Sequence, residues 1–333
     1  MNALRDALLP APPAARGIPR IAVAAGGMLA ALLMAVPVYA WATGDAYVLT
    51  MFSRILVFAL AAVGLNIALG YGGMVSMGHA MYIGLGAYLV VLLQEAGIVS
   101  GWLQIAAILL VVAVVAALAG WVALRTQGIA FIMITLAFAQ LFFFLFVSLK
   151  AYGGDEGMTL PQPSGFGPLT GDRTALYYAL LACLGATVYG VSRMVRSRFG
   201  LVLRASRLNM RRVNAVGTAP LPYRLTAYVL SALVCALAGF FLVNLTGFVS
   251  PAYLAWTVSG ELIVMVVLGG VGTVVGPVVG AVGLLLLEEL LKGWTEYWMM
   301  VLGPLIVLMV LVLRRGLWGL LPAARGDGAE ARE

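Results

Sequence analysis

Between Arg54 and Glu95 the sequence contains no Asp, Glu, Lys or Arg. The same holds between Glu95 and Arg125, Arg125 and Lys150, Arg224 and Glu261, and Glu261 and Glu288. A soluble fold cannot be built from such runs, because every helix or strand on its surface needs a polar face. A helix crossing a hydrocarbon core about 30 Å thick needs the opposite, roughly 20 apolar residues in a row. Composition agrees. Of 333 residues, 63% are hydrophobic and 10% charged, where a soluble domain carries about 25% charged residues. The 40 glycines suit the same solvent, since small residues let helices approach closely where hydrophobicity no longer drives them together. The fold class expected is an all-α integral membrane protein.

Apolar stretches fall at 21–41, 47–69, 75–94, 102–124, 129–149, 174–193, 224–247, 255–270, 274–291 and 297–313, which predicts about ten transmembrane helices. The first is longer than the roughly 7–15-residue apolar region of a secretory signal, and Val36-Pro37-Val38-Tyr39 is a poor cleavage site, so it reads as a retained helix. Lys and Arg in short loops set orientation. Arg193, Arg196, Arg198, Arg204, Arg207, Arg211, Arg212 and Arg224 follow one another with no Asp or Glu between them, which makes this segment cytoplasmic. The 150–173 loop sets Lys150 and Arg173 against Asp155, Glu156 and Asp172 and faces outside. Arg125 and the pair Arg314 and Arg315 end spans on the inside. Ten crossings satisfy all of these and put both termini in the cytoplasm. The organisation is then a tail at 1–20, a transmembrane domain at 21–315 with its cytoplasmic segment at about 194–223, and a tail at 316–333.

The net charge of +7 sits in connecting segments, so it reads as topology control. No nucleic-acid partner is expected, and anionic lipid is the expected neighbour of the basic segment. Cys183 and Cys235 lie in apolar stretches and read as small packing residues. The single histidine, His79, cannot build a multi-histidine metal site and reads as a packing residue with a hydrogen bond. No metal ligands are assigned.

Two junctions are not ordinary loops: Gly70-Tyr71-Gly72-Gly73-Met74-Val75-Ser76-Met77-Gly78 and Gly269-Gly270-Val271-Gly272-Thr273-Val274-Val275-Gly276-Pro277. Each glycine costs about 1 kcal/mol in a helix interior, so several together break it. Non-helical backbone at membrane depth survives only inside protein or beside a water-filled cavity, and interrupted segments in both halves of a chain point to a transport pathway. The alternative is a tight turn at the inner face. Candidate pathway residues are Asn66, Gly72, Gly73, Ser76, Gly270, Gly272 and Thr273. Asn66 and Ser76 either bond carbonyls freed at the break or join helices. Neither junction ends in Gly-Lys-Ser/Thr, so the chain does not read as an ATPase. Arg54 and Glu261 lie inside spans, where a charge is expensive. They are expected to pair or to line an outer vestibule, unless Arg54 snorkels and Glu261 meets water alone. Glu288 and Glu289, beside Lys292, read as interfacial.

Several stretches carry a resemblance. They are Gly64-Leu65-Asn66-Ile67-Ala68-Leu69-Gly70-Tyr71-Gly72-Gly73, Ser76-Met77-Gly78-His79-Ala80, Gly84-Leu85-Gly86-Ala87-Tyr88, Arg125-Thr126-Gln127-Gly128-Ile129-Ala130-Phe131, Thr135-Leu136-Ala137-Phe138, Tyr152-Gly153-Gly154-Asp155-Glu156-Gly157-Met158, Ser197-Arg198-Phe199-Gly200, Gly247-Phe248-Val249-Ser250-Pro251 and the second glycine junction. Their order over about residues 45–315 resembles the LivM-type permeases of branched-chain amino acid ABC importers.

The resemblance implies a transport subunit, not an enzyme. Such a subunit carries leucine, isoleucine and valine from periplasm to cytoplasm as a multi-pass protein of the bacterial inner membrane. It binds no cofactor itself. It works with a second homologous permease, two ATP-binding subunits that hold the ATP, and a periplasmic substrate-binding protein. The family's ATPase-coupling segment falls within 198–217, giving Arg204, Arg207, Leu208, Met210, Arg211, Val213 and Gly217 as candidate contacts. Related permeases usually carry acidic residues in its middle, where this chain has Leu208, Arg211 and Arg212. Gly154, Asp155 and Glu156 would meet the binding protein. Similar permeases serve urea, amides and aromatic acids. A reading from another class is an ion-coupled secondary transporter, which would place acidic or histidine side chains at mid-membrane.

Overall fold

The computed structural model describes residues 20–166, 172–312 and 316–320. Of the expected tails at 1–20 and 316–333, residues 1–19 and 321–333 lie outside the described residues, as do Arg314 and Arg315. Each of the ten apolar stretches contains an α-helix: α1 (Arg20–Thr43), α2 (Ala46–Asn66), α3 (His79–Glu95), α4 (Gly101–Ala123), α5 (Ile129–Ser148), α6 (Arg173–Arg196), α9 (Pro220–Thr246), α10 (Trp256–Gly269), α11 (Gly276–Trp294) and α12 (Trp298–Val312). The basic segment folds into two shorter helices, α7 (Arg198–Leu208) and α8 (Met210–Ala215). Among the described residues seven helical segments are long and apolar enough to cross a membrane. Of the others, α3 has 17 residues, α10 has 14, and α11 carries Glu288, Glu289 and Lys292. The only sheet among the described residues is an antiparallel pair of two-residue strands, β1 (Met158–Thr159) and β2 (Phe248–Val249). The architecture is that of an all-α membrane protein.

The two innermost helices are α2 and α9. From Ile55 to Asn66 every residue of α2 is buried, and α9 packs against α2, α3 and α4. Glycines set the closest approach. A Cβ at Gly239 of α9 would stand 1.9 Å from the Ile83 carbonyl oxygen of α3, and one at Gly86 of α3 would stand 2.2 Å from the Ala236 carbonyl oxygen. The two backbones touch, and any side chain at these positions would push the helices apart. Hydrogen bonds fix their rotation. Ser231 Oγ donates to the Gly64 carbonyl at 2.7 Å. Its one hydrogen is thereby used, so His79 Nε2–H donates to Ser231 Oγ at 2.8 Å. Tyr82 and Tyr228 bond hydroxyl to hydroxyl at 3.1 Å. This polar knot ties α2, α3 and α9 and gives His79 the packing role expected of it. Around the centre, α4, α5 and α12 present exposed Leu110, Phe144 and Leu311, apolar faces that suit a hydrocarbon solvent.

Candidate functional site

The two glycine junctions meet. At the end of α2 the helix widens into a π-turn, Ile67–Tyr71, and unwinds through Gly72 and Gly73, whose φ of 64° is open to glycine without a steric cost. The second junction turns at Gly270 (φ 120°) and Gly272 (φ 79°). There α10 and α11 cross so closely that a Cβ at Gly269 or Gly280 would lie 1.9 Å from a backbone oxygen of the facing helix.

One buried amide joins the junctions. Asn66 Nδ2 donates to the Thr273 carbonyl at 2.7 Å, across 207 residues of sequence, and Asn66 Oδ1 accepts from Gly272 N–H at 3.0 Å. A backbone N–H only donates and a carbonyl only accepts, so the amide has one orientation here. Asn66 therefore serves a carbonyl of the other junction, and it is also the glue between helices. The Gly70 carbonyl is capped by Arg207 Nη1 of α7, and the Arg207 stem lies over Gly73, where a Cβ would meet Cγ at 2.6 Å. Arg207, Gly70, Asn66, Gly272 and Thr273 thus form one connected chain of contacts. Both junctions lie at the arginine end of the bundle, beside α7. Ser76 sits apart from this joint. It is buried, and its Oγ accepts from Gly78 N–H at 3.2 Å.

The basic segment divides its residues between inward and outward roles. Helix α7 starts at Ser197, whose side chain accepts from Gly200 N–H. Helix α8 starts at Asn209, whose side chain accepts from Arg212 N–H. Both are hydroxyl or amide caps of the usual kind. Arg204, itself exposed, folds back on the Gly200 and Val195 carbonyls at 3.3 and 3.2 Å. Leu208, Arg211 and Gly217 are exposed, while Met210 and Val213 are half-buried. A cleft of about 520 Å³ lies between this segment, the first junction, the Gln127–Gly128 turn and Arg224.

At the opposite end the 149–166 segment is bound down. Strand β1 pairs with β2. Gln94 Nε2 donates to the Gln162 carbonyl at 2.9 Å, and Gly101 N–H donates to the Gly165 carbonyl at 2.8 Å. Ser164 is held by both Asn244 and Gln104. From this platform projects a turn bounded by Gly153, Gly154 and Gly157, all at positive φ. Gly154 is buried beneath it, and Asp155 and Glu156 are exposed at its tip.

The intramembrane charges pair differently from the sequence expectation. Arg54 Nη2 lies 3.9 Å from Glu288 Oε1, and Glu288 also binds Lys292 at 2.6 Å. Tyr47 of the same helix face bonds Glu289. Glu261 is exposed on α10 and makes no ion pair among the described residues. The register of α11 relative to α2 decides this, because it brings Glu288 level with Arg54. The Arg54 side chain remains 50% exposed, so this flank of α2, α10 and α11 carries charge on the outside of the bundle.

A helical membrane bundle with two interrupted helical pairs joined at one end has the architecture of a transport protein. Residues 47–311 match the family described as branched-chain amino acid transport system / permease component, and the chain belongs to that family. It is 28% identical over 288 residues to the high-affinity branched-chain amino acid transport system permease protein LivM of Escherichia coli (strain K12), covering 79% of this chain and 68% of that protein. LivM of Salmonella typhimurium is 27% identical over 287 residues, with the same coverage. LivH of Escherichia coli (strain K12) is 26% identical over 284 residues, covering 79% of this chain and 91% of that protein. No solved structure matches. The chain is a membrane-embedded transport component.

Proposed function

We propose that the chain is a permease subunit of an ATP-driven importer that moves leucine, isoleucine and valine from periplasm to cytoplasm. The observation that carries this is the family match over 47–311, which spans both joined junctions. The names of the relatives support the substrate class. The ATP sits on two partner subunits, and a periplasmic binding protein delivers the substrate.

The arginine end faces the cytoplasm, by the positive-inside rule, which places both termini there with ten crossings in the inner membrane. ATP-binding subunits then dock on α7 and α8. Their movement reaches the joined junctions through Arg207, which rests on Gly70. The acidic turn at Asp155 and Glu156 faces the binding protein. The exposed Arg54–Glu288 flank turns toward a second, homologous permease, because a half-exposed guanidinium is costly against lipid. Matches to two differently named permeases of one strain support a pore built from two such subunits.

Affinity purification of the tagged chain from its native membranes tests the assembly. An ATP-binding subunit and a second permease are expected with it. In proteoliposomes the complex should take up labelled leucine when ATP is supplied inside the lumen facing the ATPases, with competition from isoleucine and valine. Recovery of the chain alone, with uptake that follows an ion gradient and survives ATP depletion, rejects the proposal. Competition by urea, amides or aromatic acids alone reassigns the substrate.

A further inference from the structure

Three arginines line the cleft at the arginine end: Arg207, Arg211 and Arg224. Among the described residues no Asp or Glu lines it. Arg224 is only 7% exposed. Its Nη1 contacts Met210 Sδ at 2.9 Å, a weak acceptor, and its Nε–H has no hydrogen-bond partner among the described residues. A guanidinium stays charged under all ordinary conditions, and a buried charge without a counter-ion costs several kcal/mol. A fold that carries such a group at the wall of an open polar cleft has a place for an anion.

We propose that this cleft is a socket for an acidic side chain of the ATP-binding partner, with the carboxylate held by Arg224 and Arg211. The partner's identity rests on the function proposed above. The position of the cleft favours a protein carboxylate over a lipid headgroup. Its walls include Gly72 and Gly73 at the end of α2 and Arg224 of α9, the two innermost helices, so it reaches beneath the centre of the bundle, and only Gln127 and Gly128 of its lining belong to the turn between the lipid-facing α4 and α5. Leu208 lines the same cleft and is 86% exposed. An exposed leucine beside arginines has the mixed character of a protein interface, where arginine is enriched and apolar groups fill the core.

The test uses the complete transporter in nanodiscs of phosphatidylcholine alone, with binding of the ATP-binding subunit measured against salt. Arg224→Gln should weaken binding about thirtyfold or more, and Arg224→Lys should weaken it less. Arg211→Gln, at an exposed position that does not endanger folding, should weaken it about fivefold. Added salt should weaken wild type more than Arg224→Gln. Wild-type binding by both glutamine variants, at equal membrane abundance and pairing with the second permease, overturns the socket alone. Wild-type binding that fails in phosphatidylcholine and returns with phosphatidylglycerol makes the occupant a lipid phosphate and also overturns it. No binding by wild type in either lipid overturns the proposed function and the socket with it.

Discussion

At the end opposite the arginines, the segment before α6 is held by a strand pair, by backbone bonds at Gly101 and Gly165, and by three side chains, Gln94, Gln104 and Asn244. At the arginine end, two glycine junctions are held to each other and to α7 by Asn66 and Arg207. Redundant bonds make a platform that survives the loss of any one of them. A joint closed by two side chains can move as a unit when one neighbour moves, and it fails when either side chain is lost. A transport subunit can use both a fixed surface and a hinge.

The largest expected effect is at Asn66. Asn66→Leu leaves the half-buried Gly272 N–H and Thr273 carbonyl without their partner, at about 1–2 kcal/mol each, and unties the two junctions. Thermal stability of the purified complex should drop sharply and uptake should be lost. Arg207→Ala comes next. It removes a charged hydrogen bond of about 1.5–3 kcal/mol and the contact between α7 and the first junction. ATP hydrolysis should continue while uptake per ATP falls, a split read from paired assays on one preparation. Gln94→Ala, at the opposite end, removes one bond, to the carbonyl of exposed Gln162, which water can replace, and should cost only about 1 kcal/mol, with uptake kept. An equal loss at Gln94 and Asn66 would erase the contrast between the ends.

Smaller still is the Arg54–Glu288 pair. It is half exposed, so a coupling of at most about 1 kcal/mol is expected. The double variant Arg54→Gln with Glu288→Gln should assemble better than the worse single variant, and no such recovery would reject the pairing. Reversing Asp155 and Glu156 to lysine should leave stability within about 0.5 kcal/mol, as for exposed positions generally. Uptake driven by the binding protein should fall several-fold at low salt, and normal uptake would reject docking at that turn.

The helices were legible because charge and glycine punctuate them. Arg125 and Lys150 bracket α5, and glycines mark both ends of the α10–α11 crossing. Asn66 was legible as a polar residue at the lip of a break, but its partner was not, since nothing local links it to a carbonyl 207 residues away. The Arg54 partner was missed for a related reason. Glu288 stands closer to Arg54 than Glu261 does only because the glycine crossing sets the height of α11. The two-helix form of the basic segment had a readable signal in Ser197 and Asn209, both good caps. The outer lacing had a fainter one, in Gln94, Gln104 and Asn244 placed within otherwise apolar helices.

The most direct measurement places spin labels at Val75 and Val271, exposed positions on the two junctions, with Cys183 and Cys235 replaced. Their separation is followed in the reconstituted transporter as ATP is added, beside a control pair at Asp155 and Thr246. The account predicts that the junction pair changes with nucleotide, that Arg207→Ala suppresses the change, and that the control pair stays fixed. A junction distance indifferent to ATP during active uptake, or a larger change at the outer pair, would contradict it.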